Sequence, residues 1–238
     1  MQVDFRMKRR RYGKAAKAFW RLFRDNEDTA QVFIFITSLT LESDYDKCTK
    51  DFLATEIGQE IAYNGLNVLD KIADIEYLET LPKNSFGQKY LEFLGDNPGM
   101  ATDKLKKIAI KEGNDTMAGW AMEKIKLAQY RTICHDFMHV LLGTGTSPMG
   151  EACTLAFNEA QINQRFNPSL ILSFVITVSA IKTVGLKGFP LWWEAYKKGK
   201  KSKWICTEDL YPLLALDIEE VREYLGILPL NKYKARYG

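Results

Sequence analysis

Apolar side chains return every third or fourth position through most of this chain, which is the period of a helix with one buried face. The clearest stripe is Leu127, Tyr130, Cys134, Phe137 and Leu141, inside a segment that reads as a long central helix from Asp115 to Leu142. A second stripe, Ile57, Ile61, Leu66, Leu69, Ile72 and Ile75, runs through Leu53–Leu81, where Gly58 and Gly65 suggest the close approach of a neighbour or a ligand. Val32–Leu41 (VFIFITSLTL) is apolar on every side, and its length admits a buried strand or a buried helix. With no other convincing strand to pair with, it is read as helix. Short helices are expected at Phe86–Leu94, stopped by Asp96-Asn97-Pro98-Gly99, and at Ala101–Lys111. Pro148–Arg165 opens with Pro and Glu in its first turn, the chemistry of a helix start. Pro168–Lys182 holds the most apolar run, LILSFVITVSAI, whose twelve residues are too few to cross a bilayer; a span needs about 20. Its default place is the core. Val221–Leu228 closes the pattern. The chain therefore reads as all-α, a single-domain multi-helix bundle over residues 25–230. A basic amphipathic segment (1–24) precedes it and a loose basic tail (231–238) follows it.

At 238 residues the chain can bury a sizeable core, and a net charge of +3 implies no general attraction to polyanions. The basic residues cluster instead. Arg6, Lys8, Arg9, Arg10, Arg11, Lys14, Lys17, Arg21 and Arg24 interleave with Phe19, Trp20, Leu22 and Phe23, a pattern that either caps the fold or touches an anionic lipid surface; an organelle transit peptide fits less well, since the segment is poor in Ser and contains Asp4. No apolar signal core opens the chain, and a nucleic-acid arm has no accompanying motif. Near the other end, Trp192, Trp193, Tyr196 and Trp204 alternate with Lys197, Lys198, Lys200, Lys201 and Lys203. Rings beside lysines suit a membrane headgroup layer and would also suit single-stranded nucleic acid, although a solvated helix end has the same composition. The four cysteines, Cys48, Cys134, Cys153 and Cys206, show no C-x-x-C spacing, which argues against a disulfide framework or a thiolate zinc site and suits a reducing compartment.

The candidate chemistry lies in one turn of the central helix. His135 and His139 are the chain's two histidines and sit four apart, so both imidazoles leave the same helix face. Asp136 lies at the edge of that face. The Gly-Thr-Gly-Thr-Ser-Pro break at 143–148 would let a returning helix bring Glu151 back against the histidines as a fourth ligand. An ordinary polar rim and a helix-start acid give the same spacing, and composition alone leaves the two readings balanced. Related metal motifs fall away. The acid is not the glutamate of H-E-x-x-H proteases, no further upstream histidine exists for a His-Asp phosphohydrolase, and no Glu stands three residues before either histidine as in di-iron helices. Two imidazoles with one or two carboxylates would leave coordination positions open, which is the catalytic pattern. Such ligation suits zinc first, then iron or manganese, with magnesium less natural. The 143–147 turn is no P-loop; its N–H groups and the following helix start could favour an anionic head group, and a plain flexible turn is the first reading of the same residues.

His135-Asp136-x-x-His139, eleven residues and then Glu151 resembles the signature of the coenzyme Q (ubiquinone) biosynthesis protein 4 family. Gln129-Tyr130-Arg131, Pro148-Met149-Gly150-Glu151 and Phe157-Asn158-Glu159-Ala160 accompany it. Leu81–Leu94 is similar to the family's LPxxxxGxxYxxFL segment, and Leu213–Ile227 to its close. The likeness spans about residues 50–228. It implies zinc at His135, Asp136, His139 and Glu151. The implied reaction is an oxidative decarboxylation at C1 of a ubiquinone precursor that carries a polyprenyl tail. It also implies a role in organising other ubiquinone-pathway enzymes at a membrane, on the cytoplasmic side of a bacterial inner membrane or the matrix side of the mitochondrial one. A homodimer is compatible with this. A tail of that kind needs an apolar groove, for which Phe157, Leu170, Leu172, Phe174 and Ile176 are the candidate lining. No flavin or nicotinamide fingerprint appears, so the redox step would draw on the metal, oxygen or a partner. The rival readings are a non-catalytic prenyl-lipid-binding scaffold and a metallohydrolase of small esters or phosphates.

Overall fold

The computed structural model describes residues 9–24, 29–64, 72, 74–96, 117, 119–162, 164, 166–180, 184–230 and 233. The fold is all-α. Among these residues there is no strand, only one isolated antiparallel bridge between Ser85 and Asp217.

The first half of the chain gives α1 (Tyr12–Arg24), α2 (Thr29–Leu39), α3 (Asp46–Leu53), α4 (Glu56–Tyr63), α5 (Ile75–Thr80) and α6 (Phe86–Asp96). The second half gives α7 (Met122–Leu142), α8 (Pro148–Ala160), α9 (Pro168–Ser179), α10 (Gly188–Gly199), the single turn α11 (Leu210–Leu213) and α12 (Ile218–Leu225). α7 is the axis. Its stripe Leu127, Tyr130, Cys134, Phe137 and Leu141 is fully buried, as the period requires. α8 packs beside α7 and is covered on its other sides by α9 and α10, while α2 joins α9 and α1 lies on α2.

α1 docks through small residues, burying Ala15, Ala18 and Leu22. Just before it, the Arg10 guanidinium meets both carboxylate oxygens of Asp44, at 2.6 and 2.8 Å, and also the Leu39 carbonyl. From Arg10 onward the basic segment is thus joined to the helices that follow. Of the expected Val32–Leu41 segment, the residues up to Leu39 lie in the helix α2, with Phe35 and Leu39 buried and Val32, Ile34 and Ile36 half-buried.

Several boundaries differ from the sequence reading; α8, for example, ends at Ala160 rather than Arg165, and α12 runs from Ile218 to Leu225. α7 begins at Met122 rather than Asp115, because Gly119 turns the chain with φ +79° and Ala121 caps the helix. Leu53–Leu81 is not one continuous helix. Thr55 ends the first piece and caps the next by accepting from the Gly58 N–H at 3.1 Å. At Gly58 a Cβ would lie 1.9 Å from the Phe52 carbonyl oxygen, so the glycine admits the chain's own backbone. Ile57, Ile61 and Ile72 are buried as expected, whereas Ile75 is exposed. Finally, Tyr233, assigned to the loose tail, is buried and its hydroxyl meets Ser147 Oγ at 2.9 Å. The helix expected at 101–111, Leu66, Leu69, Gly65 and most of the tail lie outside the described residues.

Candidate metal centre

Two helix ends and a five-residue turn build the site. α7 stops where Gly143 adopts φ +67°, a left-handed conformation that suits glycine, and the Thr144 N–H returns to the His139 carbonyl. Ser147 then caps α8 by accepting from the Gly150 N–H, with Pro148 in the first turn. Gly150 is obligatory here, since a Cβ would stand 2.0 Å from the Gly145 carbonyl oxygen and 2.8 Å from the Tyr233 hydroxyl. This tight reversal carries Glu151 back over the histidine turn.

The three side chains converge on one point. His135 Nε2 and His139 Nε2 are 3.2 Å apart, Glu151 Oε2 is 3.2 Å from His135 Nε2, and Glu151 Oε1 is 3.3 Å from His139 Nε2. A tetrahedron with metal–ligand arms of about 2.0–2.1 Å has edges of about 3.3–3.4 Å. One nitrogen from each histidine and one Glu151 oxygen lie within 4.8 Å of one another, and a set of two imidazoles and a carboxylate is one that could hold a zinc-sized ion. Asp136 does not join them. One helical step is about 100°, so the residue after His135 leaves the helix well away from the direction shared by His135 and His139. Its charge acts instead on Tyr90, whose phenol is pushed up by burial and by Asp136, and on His135.

The electrostatics fit an acid–imidazole cluster. Burial opposes charge on His135, but the bond to Glu151 and the charges of Glu151, Asp136 and Glu159 outweigh it, so the imidazole holds its proton above the usual histidine range. Burial also opposes ionisation of Glu151, yet the two imidazoles hold its carboxyl well below the usual carboxylate range.

Behind the ligands lies a layer that the sequence reading missed. His139 is fully buried, and its Nδ1 faces Thr144 Oγ1 at 3.2 Å and Thr154 Oγ1 at 3.3 Å, with the two hydroxyls 2.7 Å apart. If His139 offers the Nε2 lone pair to a metal, Nδ1 must carry the proton and donate it to these threonines. Phe93 stacks on the His139 ring at 5.4 Å. One turn before His135, Arg131 Nη2 donates to both oxygens of the buried Glu159 carboxylate, each at 2.6 Å, and Asn167 donates to the same carboxylate at 2.8 Å. Thr154 stands one turn after Glu151, which was the available signal. Arg131 and Glu159 lie inside the quoted motifs but had no role assigned.

The five candidate lipid-lining residues do not share one surface. Phe157, Leu172 and Ile176 are core, Leu170 is half-buried, and Phe174 is exposed. All four cysteines are free and buried, and burial with Glu194 pushes the Cys153 thiol up to about 12, so the thiols flanking the site are inert. No helix among the described residues is long and apolar enough to cross a membrane.

The chain is similar to known proteins. A ubiquinone biosynthesis protein COQ4 homolog of Drosophila yakuba is 29% identical over 186 residues, which are 75% of this chain and 63% of that protein. The COQ4 protein of Candida tropicalis is 24% identical over 201 residues, 84% of this chain and 60% of its own length. Both relatives carry mitochondrial names. The chain thus spans somewhat under two thirds of these curated relatives. A crystal structure from Nostoc punctiforme, described as a ubiquinone biosynthesis protein, superposes with a TM-score of 0.56 at 18% identity, covering 90% of this chain and 97% of that one, which shows a shared fold. The sequence profile of the family described as Coenzyme Q (ubiquinone) biosynthesis protein Coq4 matches residues 14–231, nearly the whole chain and the complete histidine–glutamate site, and this chain belongs to that family.

Proposed function

We propose that this protein performs a metal-dependent step of ubiquinone biosynthesis on an aromatic precursor bearing a polyprenyl tail, the oxidative loss of its C1 carboxyl group. The observation that carries this reading is the spacing of His135 Nε2, His139 Nε2 and Glu151, three donors set for one ion with a position left for an exogenous oxygen. When bound, the ion, zinc by preference, supplies a Lewis acid that polarises an oxygen of the ring substituent. The protein's own groups do the rest. Glu151 stays ionised across the physiological range, Thr144 and Thr154 keep the His139 proton on Nδ1, and Phe93 shields that imidazole from water. The start of α8 and the N–H groups of the 143–147 turn favour an anionic head group nearby. The step breaks the bond from C1 to the carboxyl carbon and releases carbon dioxide, and a hydroxyl whose oxygen comes from water takes its place on the ring. Two electrons with two protons pass to an acceptor, here dioxygen or a partner enzyme of the pathway. The site faces its substrate from the surface of the inner membrane, bacterial or mitochondrial, where the tail resides.

The scaffold reading, in which the metal only holds the head of a prenyl ligand, is separated by one experiment. Glu151→Gln should abolish turnover of a prenylated 4-hydroxybenzoate-type substrate while leaving prenyl binding largely intact. If Glu151→Gln supports quinone synthesis in a complementation assay, the metal is incidental to catalysis and the scaffold reading replaces this one.

A further inference from the structure

α9 is apolar on every side in sequence, but the fold covers only one of its faces. Leu172, Ser173, Ile176 and Thr177 are buried, and Ser173 Oγ accepts the Trp192 indole N–H at 2.9 Å, locking α9 to α10. The opposite stripe, Ile171, Phe174 and Val178, spaced i, i+3, i+7, is 42%, 45% and 38% exposed. It does not stand alone. The Phe174 ring lies 5.7 Å from Phe189 and 5.5 Å from Trp192, which stacks on Trp193 at 6.3 Å. Trp193 is 51% exposed, and Leu186, in the connection entering α10, is 72% exposed. These side chains make an apolar patch of contiguous rings and aliphatic groups, which a monomeric soluble protein rarely leaves to water without use.

The charge around the patch selects its occupant. Residues 168–203 contain seven lysines and one acid, Glu194, which is already paired with Lys198 at 2.8 Å. Lys187, Lys197, Lys200, Lys201 and Lys203 are exposed, with Lys197 Nζ 6.0 Å from the Trp193 ring and Lys200 Nζ 5.8 Å from that of Tyr196. Lysine is depleted in protein–protein interfaces, and a two-fold contact of this face with itself would bring like charges together. Aliphatic and aromatic groups surrounded by Trp, Tyr and Lys match the boundary layer of an anionic bilayer, where rings enter the acyl border and ammonium groups stay among the phosphates.

We infer that the exposed face of α9 and α10, centred on Ile171, Phe174, Val178, Leu186 and Trp193 and bordered by Lys187, Lys197, Lys200 and Lys201, is the surface on which this protein docks to an anionic lipid bilayer. The face penetrates only to the depth of single side chains. Both helices pack on α8, whose first turn carries Glu151, so the docked face lies one helix layer from the metal centre. Docking does not depend on the proposed reaction, but its use, presenting a membrane-held prenylated ring to the triad, rests on that reading.

Vesicle flotation of the full chain tests it, with phosphatidylcholine vesicles, with and without phosphatidylglycerol, at low and high salt. Wild type should float with the anionic vesicles at low salt. Ile171→Gln with Trp193→Gln, both on the exposed side, should weaken partitioning by roughly ten-fold or more, as two large side chains no longer leave water. Lys197→Gln, Lys200→Gln and Lys201→Gln together should weaken it by roughly a hundred-fold at low salt and much less at high salt. Retained metal content and an unchanged thermal midpoint would show that these variants are folded. The inference is overturned if the Ile171/Trp193 variant floats like wild type. It is also overturned if wild type ignores anionic vesicles while sedimentation shows a dimer that this variant dissociates, for then a second copy covers the face. Turnover separates this inference from the proposed function. The face variants should keep activity on a short-tailed soluble substrate and lose it on one embedded in vesicles, whereas a wild type inactive on both would end the catalytic reading and leave flotation to decide the docking.

Discussion

Replacing Thr144 and Thr154 together by valine preserves the shape of the pocket behind His139 and removes both acceptors of its Nδ1 proton. The two hydroxyls lie 3.2 and 3.3 Å from Nδ1 in a fully buried setting, so no solvent replaces them. An N–H left buried without a partner costs about 1–3 kcal/mol. The imidazole escapes that cost by moving its proton to Nε2, which then cannot serve as a ligand. Loss of such an outer partner lowers metal affinity by roughly 10–100-fold, equivalent to about 1.4–2.7 kcal/mol. Thr154→Val alone leaves Thr144 as acceptor and should cost no more than a few-fold, so the two substitutions should be strongly non-additive. Competition titration of metal-stripped protein against a chromophoric chelator measures this directly. A double variant that binds metal as tightly as wild type would refute the role given to the threonines. A single variant as damaging as the double would refute their sharing of one proton.

Acidity should weaken metal binding. The proton on His135 is held above the usual histidine range and must leave when a metal arrives, so affinity should fall about ten-fold per pH unit below that imidazole's pKa, read from the same titration. In the metal-free protein the signs differ. Raised His135 stabilises below the ordinary histidine value and loses this effect as pH rises through its own, while lowered Glu151 stabilises above the ordinary carboxylate value and loses it on acidification. Their joint contribution to the thermal midpoint should therefore be complete between about pH 4.3 and 6.5. Gly150→Ala places a methyl 2.0 Å from the Gly145 carbonyl, so calorimetry should show a clear loss of stability, of at least about 1–3 kcal/mol, accompanied by reduced metal content.

Much of this molecule is legible in its sequence where one helix carries a long uninterrupted period. The α7 stripe, the capped start of α8 and the His135–His139–Glu151 convergence all follow from local geometry, because both histidines and the acid are separated only by a tight turn. What was misplaced depended on direction or on distant chain. Asp136 follows His135 in sequence but lies a full helical step around the axis, outside the cluster of His135, His139 and Glu151. α9 is apolar all round, so its composition does not say that Leu172 and Ile176 face inward while Ile171, Phe174 and Val178 face out. Thr144 and Thr154 look like ordinary polar residues until burial aims both at one nitrogen, and Tyr233 reaches Ser147 from beyond α12. The breaks at Thr55 and Gly119 were set by a close backbone contact and a left-handed turn, which periodicity does not register.

The identity of the ligands is the point on which everything else depends, and elemental analysis of purified protein settles it. Wild type should carry about one divalent ion per chain, as a single site with these donors requires. Asp136→Asn should retain that content, since Asp136 stands outside the triad, whereas His139→Ala and Glu151→Gln should lose most of it. Wild-type metal content in His139→Ala would contradict the assignment and leave the histidine turn without its proposed purpose.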